Sequence, residues 1–82
     1  DHQTPETEYL RSLFWQELET TLTELPTEQR KAFELTEMEG LSVKEAAQQE
    51  KVPVNTLLSR KHYAITLLRT RLENLYNDII DF

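Results

Sequence analysis

The stretch VPVNTLLSRKHYA, residues 52 to 64, gathers side chains suited to one kind of chemistry, the recognition of a polar polyanion. Asn55 carries an amide that donates and accepts at once, and Thr56 and Ser59 carry hydroxyls that do the same. Arg60 and Lys61 are cations, His62 follows them, and no acid interrupts the run. Pro53 suits the opening of a helix, and the first amides of a helix attract anions. On a helix lying in the major groove of DNA, Asn55 would pair bidentately with adenine. Thr56 and Ser59 would bond bases or phosphates, and Leu57 or Leu58 would touch a thymine methyl. Arg60, Lys61 and Lys44 would neutralise phosphates. The plainer reading of the same polar residues is helix capping and a solvated face, and His62 alone fits a phosphate contact or an ordinary surface position.

Other chemistries find less support. The chain has no cysteine, which excludes disulfides, thiolate metal sites and a cysteine nucleophile. His2 and His62 stand far apart and make no metal motif. Glu6, Glu8, Glu17, Glu19 and Glu24 are scattered along a helical pattern without a polar cluster, as on a solvated face, not as a catalytic carboxylate pair. Neither a glycine-rich phosphate loop nor a nucleophile motif occurs. The expectation is a protein that is no enzyme and needs no cofactor. No apolar run approaches the ~20 residues of a membrane span, so no membrane partner is expected.

Charge is unevenly divided. The net charge is -6, yet residues 41 to 72 hold six basic and two acidic side chains. Residues 1 to 40 hold three basic and ten acidic ones, and residues 73 to 82 three acids and no base. A basic island therefore sits between acidic flanks, and it is the local field that governs contact with DNA.

The elements that would position this island are helices. A chain of 82 residues with one glycine and three prolines is expected to form one domain with few turns. Thr4 and Pro5 suit a helix start, with Glu6 and Glu8 at its positive end. Leu10, Leu13, Phe14, Leu18, Leu22 and Leu25 recur at spacings of three and four, giving this helix one apolar face. Trp15, beside Phe14, reads as core or as the mark of a partner surface. Pro26 ends the first helix and begins a second that runs to Gly40, with Ala32, Phe33, Leu35 and Thr36 inward. Ser42 and Glu45 form a capping box, with Leu41 and Ala46 at the staple positions, and a short helix over about 43 to 50 follows. From Pro53 nothing breaks the last helix until near the end. Leu57, Ala64, Leu68, Leu72, Leu75 and Ile79 form its stripe, widened by Leu58, Ile65 and Tyr76. The apolar end, LYNDIIDF, leaves two readings open. Leu75, Tyr76, Ile79, Ile80 and Phe82 either pack on the first helix or dock a partner. The fold expected is all-α, four helices with a helix-turn-helix over about residues 42 to 64 and a long C-terminal recognition helix.

The wording of the sequence goes further. LPTEQRKAFELTEMEGLSVKEAAQQEKVPVNTLLSRKHYAITLLR closely resembles region 4 of sigma-70 family initiation factors, in the form found in the extracytoplasmic-function group. The family reads L-P-x-x-Q-R, then an apolar pair, E-G-L-S, E-x-A, and P-V-x-T-(V/L)-x-S-R. Leu25, Pro26, Gln29, Arg30, Phe33, Glu39, Gly40, Leu41, Ser42, Glu45, Ala47, Pro53, Val54, Thr56, Leu57, Ser59, Arg60, His62 and Ala64 match it. The resemblance covers about residues 20 to 72. It implies a bacterial, cytoplasmic module that reads the -35 promoter element in double-stranded DNA and supports transcription initiation. The DNA-facing set would be Lys44, Val54, Asn55, Thr56, Leu58, Ser59, Arg60, His62 and Tyr63. Further partners implied are the β-subunit flap of RNA polymerase and an anti-sigma factor, for which Leu75, Tyr76, Ile79 and Ile80 are the candidate contacts.

Departures from the family pattern carry expectations too. Lys51 holds a turn position often occupied by glycine, so it must adopt a left-handed conformation or the turn differs. Glu50 replaces a common aliphatic residue, Leu58, Tyr63 and Ile65 replace positions that are often basic, and Lys61 replaces a leucine. This end is less basic than in many relatives. That favours an alternative from another class, an interaction module contacting RNA polymerase or an anti-sigma factor with little DNA binding. Region 2 of the family has no counterpart in the 82 residues, and the chain begins with Asp1, so a piece of a longer factor or a processed protein is expected.

Overall fold

A computed structural model describes residues 4–80; His2 and Phe82 lie outside them. Among the described residues the fold is all-α, with four helices in chain order. Helix α1 spans Pro5–Glu24, α2 spans Thr27–Phe33, α3 spans Val43–Glu50 and α4 spans Val54–Ile80. Thr4 caps α1 by accepting the Thr7 amide, and Pro5 opens the first turn.

The expected second helix is not uniform. After Phe33 it widens into a π-helical turn, Glu34–Met38, in which the Glu39 amide donates to the Glu34 carbonyl five residues back. The widened turn keeps Leu35 and Thr36 both buried, and the Thr36 hydroxyl donates to the Ala32 carbonyl at 2.8 Å. Gly40 ends the element at φ +81°, the left-handed geometry for which glycine carries no Cβ penalty.

The core is small. Ala32, Leu35, Ala46, Ala47 and Leu57 form its centre, with Leu41, Val43 and Val52 packed against it. Helix α4 is the spine, and α1, α2 and α3 all pack on it. Along α4, Leu57, Ala64 and Leu68 are buried, while Leu72, Leu75 and Ile79 are half-buried.

The apolar face expected on α1 is inward except at its start. Leu25, the C-cap, is buried, Leu13, Phe14, Leu18 and Leu22 are half-buried and Leu10 is exposed, while Thr21 is the one buried residue within the helix itself. Thr21 enters the core because its hydroxyl is satisfied within the helix, donating to the Glu17 carbonyl at 2.8 Å. Trp15 is not core but 57% exposed. On α4, Leu58 and Tyr76 do not widen the inner stripe, since both face solvent.

Candidate nucleic-acid interface

Local chemistry fixes the start of α3. The Glu45 amide donates to the Ser42 hydroxyl at 3.0 Å, and the Ser42 amide donates to the Glu45 carboxylate at 2.9 Å. That backbone donor, with the Ser42 side chain second, holds the Glu45 carboxyl below the usual glutamate range. Lys44 stands exposed in the first turn of α3.

Lys51 closes α3 in the left-handed region, φ 58° and ψ 45°. Its amide bonds back into α3, and the Val52 amide donates to the Ala47 carbonyl at 3.1 Å, a helix-ending pattern normally built on glycine. Three residues, 51 to 53, thus turn the chain from α3 into α4. A short capped helix, a tight turn and a longer helix packed on it form a helix-turn-helix.

Leu57 sets the orientation of α4. It is wholly buried, so it cannot meet a thymine methyl, and that part of the expectation falls to Leu58, which is 44% exposed. With Leu57, Ala64 and Leu68 inward, the outer face carries Asn55, Ser59 and His62, all exposed. Val54 and Leu58 flank this line on one side, Tyr63 and half-buried Thr56 on the other, following the helical step of ~100° per residue. Of the nine residues expected to face DNA, eight gather around the first half of α4 and Lys44 stands on α3.

Arg60 and Lys61 are placed differently. Both side chains are 23% exposed and both meet acids of the preceding elements. Arg60 Nη2 lies 3.4 Å from Glu28 Oε2 on α2, and Lys61 Nζ lies 3.1 Å from Glu37 Oε2 in the π-helical turn. A third pair joins Lys31 of α2 to Glu50 of α3 at 3.6 Å, which explains how an acid is accommodated at the end of α3. The sequence alone gave no sign of these pairs, because they join residues from 19 to 32 positions apart.

At the other end, α1 and α4 are tied by Arg71, which meets Glu24 and Glu17. The hydrogen bond from Arg71 and then its charge hold the Glu24 carboxyl below its usual range, and the same partner raises Arg71. Beside this tie runs an apolar groove of about 240 Å³ lined by Arg11, Phe14, Trp15, Leu18 and Leu72. A second groove, of about 290 Å³, shares Leu18 and Leu72 and extends to Phe33 and Ile65. Of the candidate partner contacts, Leu75 and Ile79 are half-buried and Tyr76 and Ile80 are exposed. Among the described residues no cluster of His, Asp or Glu could hold a metal ion, and no helix is long and apolar enough to cross a membrane.

The geometry defines a helix-turn-helix domain of four helices. Comparison with known families then gives a more particular result. Residues 15–68 match the family described as Sigma-70, region 4, and the chain belongs to that family. Membership gives it a role among sigma-factor domains in promoter recognition and RNA polymerase binding, in a family that is regulatory rather than catalytic. The matched span contains every residue of the α4 face and ends before Leu75, Tyr76, Ile79 and Ile80. No curated protein matches the chain.

Proposed function

We infer that this domain reads the -35 promoter element by laying the first half of α4 in the major groove. The observation that carries the reading is the outer face of that helix. An amide, two hydroxyls and a histidine (Asn55, Thr56, Ser59 and His62) open a helix held by a buried seam behind them. Base edges call for such groups, and the N-terminal end of α4 favours a phosphate. Lys44, Val54, Leu58, Arg60 and Tyr63 complete the proposed contact set. Lys44 and Arg60 serve phosphates, and Val54, Leu58 and Tyr63 line the groove wall.

The resemblance to the extracytoplasmic-function group supports reading the domain as part of a bacterial, cytoplasmic factor. There, tethering to the polymerase raises the effective concentration at the promoter, so modest intrinsic affinity suffices. The β-subunit flap and an anti-sigma factor are its proposed protein partners.

Salt-dependent binding to duplex DNA tests the reading. Arg60→Ala should weaken binding across sequences and flatten the dependence on salt by about one phosphate. An unchanged slope counts against Arg60 as a phosphate contact. Binding that is absent in both proteins at low salt counts against the whole reading.

A second reading has an observation of its own. The grooves around Leu18 and Leu72, with Trp15 exposed at their edge, form an uncovered apolar surface, while Arg60 and Lys61 are engaged by acids. These features suit an interaction module that contacts RNA polymerase or an anti-sigma factor and binds DNA little.

A further inference from the structure

The proposed reading face is unusual in what it lacks. From Val54 to Thr66 the exposed residues of α4 are Val54, Asn55, Leu58, Ser59, His62, Tyr63 and Thr66, and none is arginine or lysine. The two cations in this stretch, Arg60 and Lys61, are turned toward α2 and its π-helical turn and held by Glu28 and Glu37. Arg60 also stands five residues after Asn55, roughly 140° round the helix from it at ~100° per residue. It can reach a flanking phosphate but not the base edge facing Asn55. The exposed Lys44 and Lys51 belong to α3 and its cap, not to α4.

That absence has a chemical consequence. The commonest way to read guanine is a bidentate arginine or lysine on O6 and N7, and the face offers neither. What it does offer is matched to adenine and thymine. Asn55 carries the paired donor and acceptor that fit adenine N7 and N6. Leu58 and Val54, 44% and 42% exposed on the same flank, offer apolar atoms to a thymine methyl. Ser59 bonds any base, and His62 can donate to the N7 that both purines present, so neither sets a preference.

Resting on the -35 reading above, we propose that this domain selects A·T pairs where α4 meets the groove. Asn55 is the adenine reader and Leu58 the reader of a neighbouring thymine methyl.

The test starts with the 82-residue chain at low salt and a pool of randomised duplexes. Sequencing of the retained duplexes should show adenine and thymine enriched at two or three adjacent positions. Replacing the contacted thymine by uracil, which lacks only the methyl, should weaken binding about fourfold. Leu58→Ala should remove that sensitivity, and Asn55→Ala should cut discrimination at the adjacent adenine by roughly fivefold or more. Both side chains are exposed, so neither change threatens the fold. The outcomes separate cleanly. A guanine-centred motif, or indifference to uracil in the wild type, overturns the A·T assignment and leaves the DNA reading standing. Duplex retained without any enrichment overturns the assignment in favour of non-specific binding. No duplex retained at all overturns the DNA reading and the assignment together.

Discussion

Glu28→Gln is the substitution that most sharply probes how this domain meets DNA. Glu28 is an exposed acid of α2 whose carboxylate lies 3.4 Å from the Arg60 guanidinium on the recognition helix. In the absence of DNA the pair keeps Arg60 turned toward α2. An ion pair with one partner this exposed contributes no more than ~0.2–1 kcal/mol, so breaking it should barely alter stability. The same energy is what a phosphate must overcome to take Arg60 away from Glu28. Its removal should therefore tighten DNA binding by up to roughly fivefold. The slope of log affinity against log salt should stay close to that of the wild type, because Arg60 meets the same phosphate in both complexes. Fluorescence anisotropy of a labelled duplex, titrated at several salt concentrations between 50 and 200 mM, reads both quantities. Arg60→Ala should flatten the slope by ~0.9, one phosphate contact, on either background. If Glu28→Gln weakens binding, Glu28 orients Arg60 for its phosphate instead of withholding it. A slope unmoved by Arg60→Ala would refute a phosphate role for Arg60.

Three further outcomes follow from the geometry. Lys51→Gly should stabilise the domain by ~1 kcal/mol, because glycine removes the Cβ penalty of the left-handed cap. For a domain of this size that raises the melting temperature by about 4–8 °C, and no gain over Lys51→Ala would show that the turn carries no strain. Leu57→Ala empties the wholly buried centre of the helix-turn-helix and should cost ~2–5 kcal/mol in urea unfolding; a loss under ~1 kcal/mol would mean that the seam does not hold α4. Arg71 lowers the Glu24 carboxyl in the folded state, so that pair stabilises the fold above the ordinary glutamate range of ~4.3 and stops doing so as pH falls through the folded value. The difference in melting temperature between wild type and Glu24→Gln should therefore shrink below about pH 4, and a difference constant from pH 7 to pH 3 would contradict the linkage.

What could be read from the sequence was what local chemistry decides. Ser42 and Glu45 satisfy each other across three residues, so the start of α3 at Val43 needed no tertiary information. Gly40 announced its left-handed cap because the helix must stop there, whereas at Lys51 only the family pattern pointed to a left-handed turn and a different turn stayed open. The inner stripe of α4 followed from the period of Leu57, Ala64 and Leu68, although Leu58 and Tyr76, counted with it, face solvent. The π-helical turn at Glu34–Met38 was not legible, since its residues are ordinary helix formers and the widening serves to bury Leu35 and Thr36 together. Thr21 was missed for a similar reason. A hydroxyl that bonds within its own helix behaves as a small core residue, and hydropathy does not register that. The exposure of Trp15 and the capture of Arg60 and Lys61 depend on which helices meet, and no local pattern encodes that.

The most direct measurement is an amide-resolved NMR titration of the domain with duplex DNA at low salt. Shifts confined to Lys44 and residues 53 to 63, fading as salt rises, are the predicted result. Silence there at millimolar DNA, or shifts gathered instead around Trp15, Leu18 and Leu72, would contradict promoter reading by α4 and make the apolar grooves the working surface.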